Sequence, residues 1–330
     1  MTRRFVLFAA VASLAFGQIA HAAEQQLTLV SYAVAKPVFA KIIPAFAKQY
    51  KADTGNDVKF TESYGASGAQ SRAVVGGLEA DIVATNLQSN VDILVKAGLV
   101  KDDWATRLPN HASPASSVIS VVVRKGNPKN IKTWQDLAKD GVEIVAINPK
   151  TSGNARWGVL AGYAATLKTQ DEAAADAYVH GLVKNTKTLV AGGREATDTF
   201  LKNRVGDALL TFENEAIFAN KVSKLNLEYV APNPNIRTDF PVVVVDKVVD
   251  KRGSRPAAEA FAKFLFSAEA QAIYGDLGYR PFDATIAAKS AADVAKLEKV
   301  LTIDDVGGWT TIDKKLFADG ALYDQAQAKK

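Results

Sequence analysis

The chain has 330 residues, of which 48% are hydrophobic and 23% are charged, and its formal net charge is +5. This length allows two ordinary domains, because single hydrophobic cores stop growing beyond about 250–300 residues. The composition is that of a globular protein and excludes a disordered or fibrous chain. Basic residues are spread along the sequence without a concentrated Lys/Arg patch, which argues against nucleic-acid binding.

The N-terminus has the pattern of a secretory signal peptide. A basic start is followed by an apolar stretch over residues 5–16 and then by small residues at an A-x-A site. We expect a signal peptide over residues 1–22, cleaved before Ala23. A membrane helix is disfavoured, because the apolar stretch is shorter than the roughly 20 residues that span a bilayer. The sequence therefore predicts a soluble protein of the periplasm.

The chain contains no cysteine, and its single methionine is the initiator. Exported proteins often carry disulfides, but a core of this size does not need one. Core size does not explain the absence of methionine, which is a useful gap-filler in packed interiors. The composition is typical of a protein made when sulfur is scarce, with chance as the alternative.

Strand and helix patterns alternate along the first part of the mature chain. An alternating strand over 26–33 precedes apolar residues at helical spacing, in a helix that Pro44 is expected to kink and Gly55 to end. A second strand leads to a Gly/Ser turn and a helix that begins near Ser67, and a third strand covers 80–86. Such alternation predicts a parallel α/β sheet.

A buried strand over 118–125 opens a second series of strand–turn–helix units. These units cover 143–157, 187–200 and 207–218 and are followed by a short strand over 227–232. A strand over 241–249 then precedes one long amphipathic helix over 255–278, whose inner face is formed by Phe261, Phe264, Leu265 and Ala268. We expect two α/β lobes, with 23–112 and 236–330 in lobe I and 113–235 in lobe II. Two crossings between lobes place a cleft along the hinge.

Three turns of this pattern are candidate ligand sites. The turns are 65–68, 152–154 and 191–193, and each follows a strand and opens a helix. Their small residues let the backbone approach a ligand, and helix N-termini present free N–H donors with a partial positive charge. A P-loop is excluded at 144–158 because the stretch lacks a Lys after its last Gly and the longer glycine spacing. The pattern predicts an anion site, and ordinary helix caps remain the alternative for each turn alone.

The chain resembles the periplasmic sulfate-binding proteins that serve ABC importers, over essentially the whole mature sequence. The most specific motifs are NPKTSGNARW at 148–157, VVVRKGNPKNIKTWQDL at 121–137, GDALLTFENEA at 206–216 and PVVVVDKVVDKRG at 241–253. The resemblance implies a two-lobed periplasmic binding protein fold, with two parallel-rich sheets joined by a two-crossing hinge that closes around the ligand. It also implies capture of sulfate by uncharged hydrogen-bond donors.

The resemblance implies the following donors. Ser67 gives its hydroxyl and its N–H, and Ser152 gives its hydroxyl. Gly153 and Asn154 give backbone N–H groups. Gly193 stands where the family has alanine and gives its N–H, since a backbone donor survives a change of side chain.

Two positions depart from the family pattern. Phe212 stands where the family has a tryptophan whose indole N–H donates to the anion, and Ala33 replaces an aspartate that anchors the first turn. Loss of a donor to a charged ligand costs about 1.5–3 kcal/mol unless Tyr32 or water compensates. A site made only of donors favours sulfate over phosphate. The proton that phosphate carries near neutral pH finds no acceptor there, which lowers the binding free energy of phosphate by roughly 1–3 kcal/mol. Thiosulfate and molybdate remain open.

An enzyme is disfavoured. His111 and His180 have no visible Asp or nucleophile partner, and no Cys/His spacing indicates a metal. Glu213 and Glu215 are not expected to form a carboxylate dyad, because the strand end is expected to pass into a helix, which would separate them. We expect no cofactor, no metal, a monomer, and an ABC permease as the partner. A sensor that docks on a membrane receptor remains an alternative.

Overall fold

The computed structural model describes residues 24–330, so the expected signal peptide over 1–22 lies outside the described residues. The strands are β1 (Gln25–Tyr32), β2 (Val58–Gly65), β3 (Ile82–Ala84), β4 (Ala115–Ser117), β5 (Ile119–Val123), β6 (Ile144–Ile147), β7 (Thr186–Val190), β8 (Ala208–Phe212), β9 (Glu228–Val230), β10 (Asn235–Ile236), β11 (Thr238–Asp239), β12 (Val242–Val244), β13 (Arg280–Pro281) and β14 (Val300–Leu301). The helices are α1 (Lys36–Thr54), α2 (Ser67–Val75), α3 (Gln88–Lys96), α4 (Pro109–Ala112), α5 (Gly153–Thr169), α6 (Glu172–Asn185), α7 (Gly193–Leu201), α8 (Glu213–Lys221), α9 (Asp246–Arg252), α10 (Arg255–Phe264), α11 (Ala268–Asp276), α12 (Ala284–Ser290), α13 (Gly308–Ile312) and α14 (Leu322–Ala328).

The first large sheet has the strand order β12-β3-β1-β2. Strand β1 lies between β2 and β3 and is parallel to both, while β12 is antiparallel to β3. Leu27 and Leu29 of β1 and Ile82 of β3 are fully buried against α1 and α10, where Phe39 and Phe261 pack. Strands β1, β2 and β3 form the parallel arrangement that the sequence predicted. Their carboxyl ends therefore lie at one edge of the sheet.

The second large sheet has the order β7-β6-β8-β5-β9. Strand β6 is parallel to β7 and to β8, whereas β5 is antiparallel to β8 and β9. Short strands form two further sheets, in which β4 pairs with β11 and β13, and β10 pairs with β14. The carboxyl ends of β6, β7 and β8 therefore meet at one edge of this sheet.

Helix α1 is continuous from Lys36 to Thr54 with Pro44 inside it. Its buried face includes Phe39, Ile42 and Phe46, as the helical spacing predicted. Gly55 ends the helix at φ 75°, a left-handed conformation that glycine adopts without steric cost.

The predicted single helix over 255–278 is wrong. The structure has two helices, α10 and α11, because the Ser267 side chain accepts a hydrogen bond from the Ala270 N–H and caps a new helix. Phe261 and Leu265 are buried as expected, but Ala268 is exposed at the start of α11. A cap inside a periodic apolar pattern redirects the chain without disturbing that pattern.

The C-terminal segment, residues 313–330, packs on the helices of the second sheet. Helix α14 contacts α6, and Lys315 Nζ lies 2.8 Å from Glu172 and 2.9 Å from Asp176. We propose that the two expected lobes correspond to the two large sheets. This segment lies against lobe II, whereas the sequence pattern places it in lobe I. Among residues 24–330, no helix combines the length and hydrophobicity needed to cross a membrane.

Candidate functional site

The structure begins a helix at each of the three turns selected from the sequence. Helix α2 begins at Ser67 after β2, α5 begins at Gly153 after β6, and α7 begins at Gly193 after β7. Residues 66, 152 and 192, which precede these helices, have extended backbone conformations. Each turn therefore points the first N–H groups of a helix away from its sheet.

The turns of the two sheets contact each other directly. The Gly153 N–H donates to the Ser67 Oγ over 2.9 Å, and the Gly68 N–H donates to the Thr151 carbonyl over 3.2 Å. The Trp157 Nε1–H donates to the Asn86 carbonyl over 2.7 Å. The first two turns thus form one buried site.

The third turn closes the same site. A Cβ on Gly193 would lie 3.2 Å from Asn154 Nδ2 and 3.2 Å from Val34 Cγ2. A Cβ on Gly192 would lie 3.9 Å from the Ala66 Cβ. The structure therefore brings all three turns together at the contact between the sheets.

The assembled groups are uncharged hydrogen-bond donors. Ser67, Ser152, Gly153, Asn154 and Gly193 are buried. Within residues 24–330, no acceptor pairs with the N–H groups of Ser67, Asn154 or Gly193, or with the Ser152 hydroxyl proton. Unpaired donors at three helix N-termini favour a negatively charged ligand.

Gly153 has no room for a side chain. A Cβ at this position would lie 2.8 Å from the Leu87 Cβ and in close contact with Asn86 Oδ1. Both residues follow β3 in the first sheet, so the glycine is required by the close approach of segments from the two large sheets. Glycine is needed here for space and not for a positive φ.

Phe212 and Tyr32 both pack against Phe240 in an aromatic cluster. Phe212 is 0% exposed and meets the Phe240 ring edge-on at 5.2 Å, while Tyr32 stacks on that ring at 5.7 Å. The Tyr32 and Tyr279 hydroxyl oxygens lie 3.5 Å apart, and burial raises the pKa of Tyr32 well above its ordinary value. Ala33 is half-buried at the start of a 3-10 turn. The next residue in this turn, Val34, lies close to Gly193.

The two glutamates of the FENEA motif are separated, as expected. Strand β8 ends at Phe212 and α8 begins at Glu213, which accepts from the Arg280 Nε over 2.9 Å. Glu215 pairs with Arg194 Nη1 at 2.8 Å. Burial raises the pKa of Glu215 to about 7, opposed by the Arg194 charge. These carboxylates hold α8 against neighbouring elements. Among residues 24–330, no three His, Cys, Asp or Glu side chains form a metal-binding group.

A cavity of 380 Å³ opens beside the first two turns, lined partly by Gly68, Ser152 and Gly153. Its charged lining residues are Arg72, Lys96, Lys150, Arg156, Asp92 and Asp313. Ion pairs neutralise part of this charge, because Arg156 Nη1 lies 2.9 Å from Asp313 and Lys150 Nζ lies 3.0 Å from Asp324.

Asn86 was not selected from the sequence. It follows β3, is 2% exposed, and its Oδ1 lies against Gly153. Its position beyond the carboxyl end of a parallel strand was the available signal, because ligands of open α/β sheets lie at that edge.

Comparison with known proteins agrees with this arrangement. A family profile described as bacterial extracellular solute-binding protein matches residues 27–280. The chain belongs to this family. A sulfate-binding protein of Synechococcus elongatus is 42% identical over 304 residues, covering 92% of this chain and 86% of that protein. A thiosulfate-binding protein of Pseudomonas aeruginosa is 43% identical over 328 residues, covering 98% of both chains.

A solved structure shares the fold. The sulfate-binding protein SubI from Mycobacterium tuberculosis superposes with a TM-score of 0.81 at 37% identity, covering 89% of this chain and 99% of that chain. A periplasmic thiamin-binding protein reaches a TM-score of 0.68 at 18% identity, which shows the fold alone. The chain therefore has the two-lobed fold of periplasmic binding proteins that the sequence predicted.

Proposed function

We propose that the protein binds sulfate in the periplasm and delivers it to the membrane permease of an ABC importer. The observation that carries this proposal is the convergence of the N-termini of α2, α5 and α7 on one buried set of donors. The relatives named for sulfate or thiosulfate binding support the choice of ligand.

The donor set suits a dianion. Ser67 and Ser152 supply hydroxyl groups, and Ser67, Gly153, Asn154 and Gly193 supply N–H groups. Hydrogen bonds to a charged acceptor contribute about 1.5–3 kcal/mol each, and helix N-termini add favourable electrostatics. The donor groups that hold the anion carry no formal positive charge. Because they come from both lobes, closure and opening of the lobes govern binding and release.

Closure follows from differential affinity. Ser67 lies on lobe I, whereas Ser152, Gly153, Asn154 and Gly193 lie on lobe II in the proposed division. An anion meets the full donor set only when both lobes surround it, so binding shifts the equilibrium toward the closed form. The permease then recognises the closed lobes.

Thiosulfate is the second candidate ligand. Phe212 places an apolar ring where the resemblance implies an indole donor, and the thiosulfate-binding relative covers 98% of both chains. Sulfur is a weaker acceptor than oxygen. In thiosulfate a terminal sulfur replaces one oxygen. The absence of one donor should therefore reduce the affinity for thiosulfate less than the affinity for sulfate.

The deciding experiment is calorimetric titration of the mature protein, stripped of bound anion, with sulfate, thiosulfate, molybdate and phosphate at neutral pH. We expect binding of sulfate or thiosulfate and no heat with phosphate, whose proton finds no acceptor among the groups of the three turns. Binding of phosphate in preference to the others would overturn the donor-only site.

The permease and the role in import are tested separately. We propose a monomer that acts as a binding protein and not as an enzyme. The ligand-loaded protein should stimulate ATP hydrolysis by its cognate importer reconstituted in vesicles. A sensor component would bind the same anion and leave ATP hydrolysis unchanged.

A further inference from the structure

Asn86 carries a buried amide with an unpaired oxygen at the candidate site. The residue is 2% exposed, and within residues 24–330 no donor pairs with its Oδ1. A buried polar group without a partner is unfavourable, and in native proteins such groups concentrate where a ligand or a function requires them.

The amide lies beside the groups proposed to hold the anion. Its Oδ1 contacts the position of a Cβ on Gly153, and the Ser67 Oγ lies 3.2 Å from that same position. Gly153 begins α5, a helix of 17 residues, so the amide faces the positive end of a long helix.

A hydrogen bond holds the backbone of Asn86 in place, whereas its side-chain amide can adopt two orientations. Its carbonyl accepts the Trp157 indole N–H over 2.7 Å, which ties the residue to lobe II. The amide oxygen and nitrogen have nearly the same shape, so a half-turn about χ2 exchanges Oδ1 for Nδ2. The carbonyl dipole favours the helix N-terminus, whereas an oxyanion at that N-terminus favours the N–H.

We propose that Asn86 is an anion-contacting residue whose side-chain N–H donates to the bound oxyanion. This inference rests on the proposed function and adds a donor that the resemblance does not imply. The Asn86 N–H also compensates for part of the affinity lost because Phe212 provides no indole donor. The amide thus contributes to ligand affinity and not to the stability of the fold.

The test compares Asn86→Ala and Asn86→Asp with the wild-type protein by calorimetric titration with sulfate and with thiosulfate. We expect Asn86→Ala to weaken binding by about 10- to 100-fold, the loss of one hydrogen bond to a charged acceptor. Asn86→Asp keeps the shape, replaces the donor by a carboxylate, and should bind more weakly still. Asn220→Ala, which removes a half-buried asparagine bonded to Leu227, is the matched control and should bind as the wild type does.

Thermal unfolding without added anion shows whether Asn86 contacts the anion or only stabilises the fold. Asn86 Oδ1 makes no hydrogen bond within residues 24–330, so the Tm of Asn86→Ala should stay within about 3 °C of wild type or rise. Affinities within twofold of wild type, or a weakened affinity accompanied by a larger fall in Tm, would overturn the inference. If the wild-type protein binds neither anion, the proposed function itself fails.

Discussion

The Gly153 N–H donates to the Ser67 Oγ over 2.9 Å, which joins the first residue of α5 to the first residue of α2. The two residues are separated by 86 positions in the sequence and come from different sheets. The bond places a hydroxyl and a helix N-terminus at one point, where both can turn to an anion. In the proposed function, closure of the lobes and binding of the ligand use the same groups.

Gly153→Ala should abolish tight anion binding while leaving the protein folded. The added Cβ would meet the Leu87 Cβ at 2.8 Å, and both partners can separate only if the lobes open. We expect at least a hundredfold loss of sulfate affinity by calorimetry, since strain of about 3 kcal/mol opposes closure. The Tm without anion should change little.

Gly158→Ala is the matched control for this substitution. It lies in the same helix, and its added Cβ would meet Leu210 at 3.6 Å, an ordinary contact. Equal affinities of Gly153→Ala and wild type would contradict the close approach of the lobes at this point.

Ser67→Ala and Ser152→Ala should each weaken sulfate binding by about 10- to 100-fold, because each removes a hydroxyl donor to a charged ligand. The measurement is calorimetric titration at neutral pH. Ser290→Ala, a buried hydroxyl bonded within α12, serves as the control and should leave the affinity unchanged. If both site variants bind as the wild type does, the assignment of the site is wrong.

Phe212→Trp tests the departure from the family pattern. Phe212 is 0% exposed and packs against Phe240, so a larger ring should lower the free energy of unfolding by about 1–3 kcal/mol. Denaturant titration measures this, with the half-buried Phe266→Trp as control. A gain in sulfate affinity would support a missing donor at this position. An unfolding free energy equal to that of wild type would show that the cluster accommodates the indole.

Glu215→Gln should change the pH dependence of stability. Burial raises the Glu215 pKa from 4.5 to about 7, so the folded protein binds a proton more tightly than the unfolded chain. Stability from this group is fully present below pH 4.5 and is lost as the pH rises toward 7. We expect the wild-type Tm to fall across this window relative to Glu215→Gln. Parallel Tm curves for the two proteins would contradict the raised pKa, and the exposed Glu269→Gln should follow wild type.

The starts of α2, α5 and α7 were predictable because local signals determine them. Small residues after an apolar strand, followed by helical periodicity, mark Ser67, Gly153 and Gly193 wherever the segments lie in space. Gly55 ended α1 for an equally local reason, its left-handed backbone. The break at Ser267 was missed because the apolar spacing continues across the cap.

By itself the sequence determined the alternating elements, the turns that open α2, α5 and α7, and the family to which the chain belongs. Only the tertiary structure decided that the turns meet, that α14 packs on α6, and that Asn86 lies against Gly153. These contacts join residues far apart in the chain, and neither periodicity nor capping carries information about such pairs. They depend on how two sheets pack, which is decided by the fit of whole surfaces.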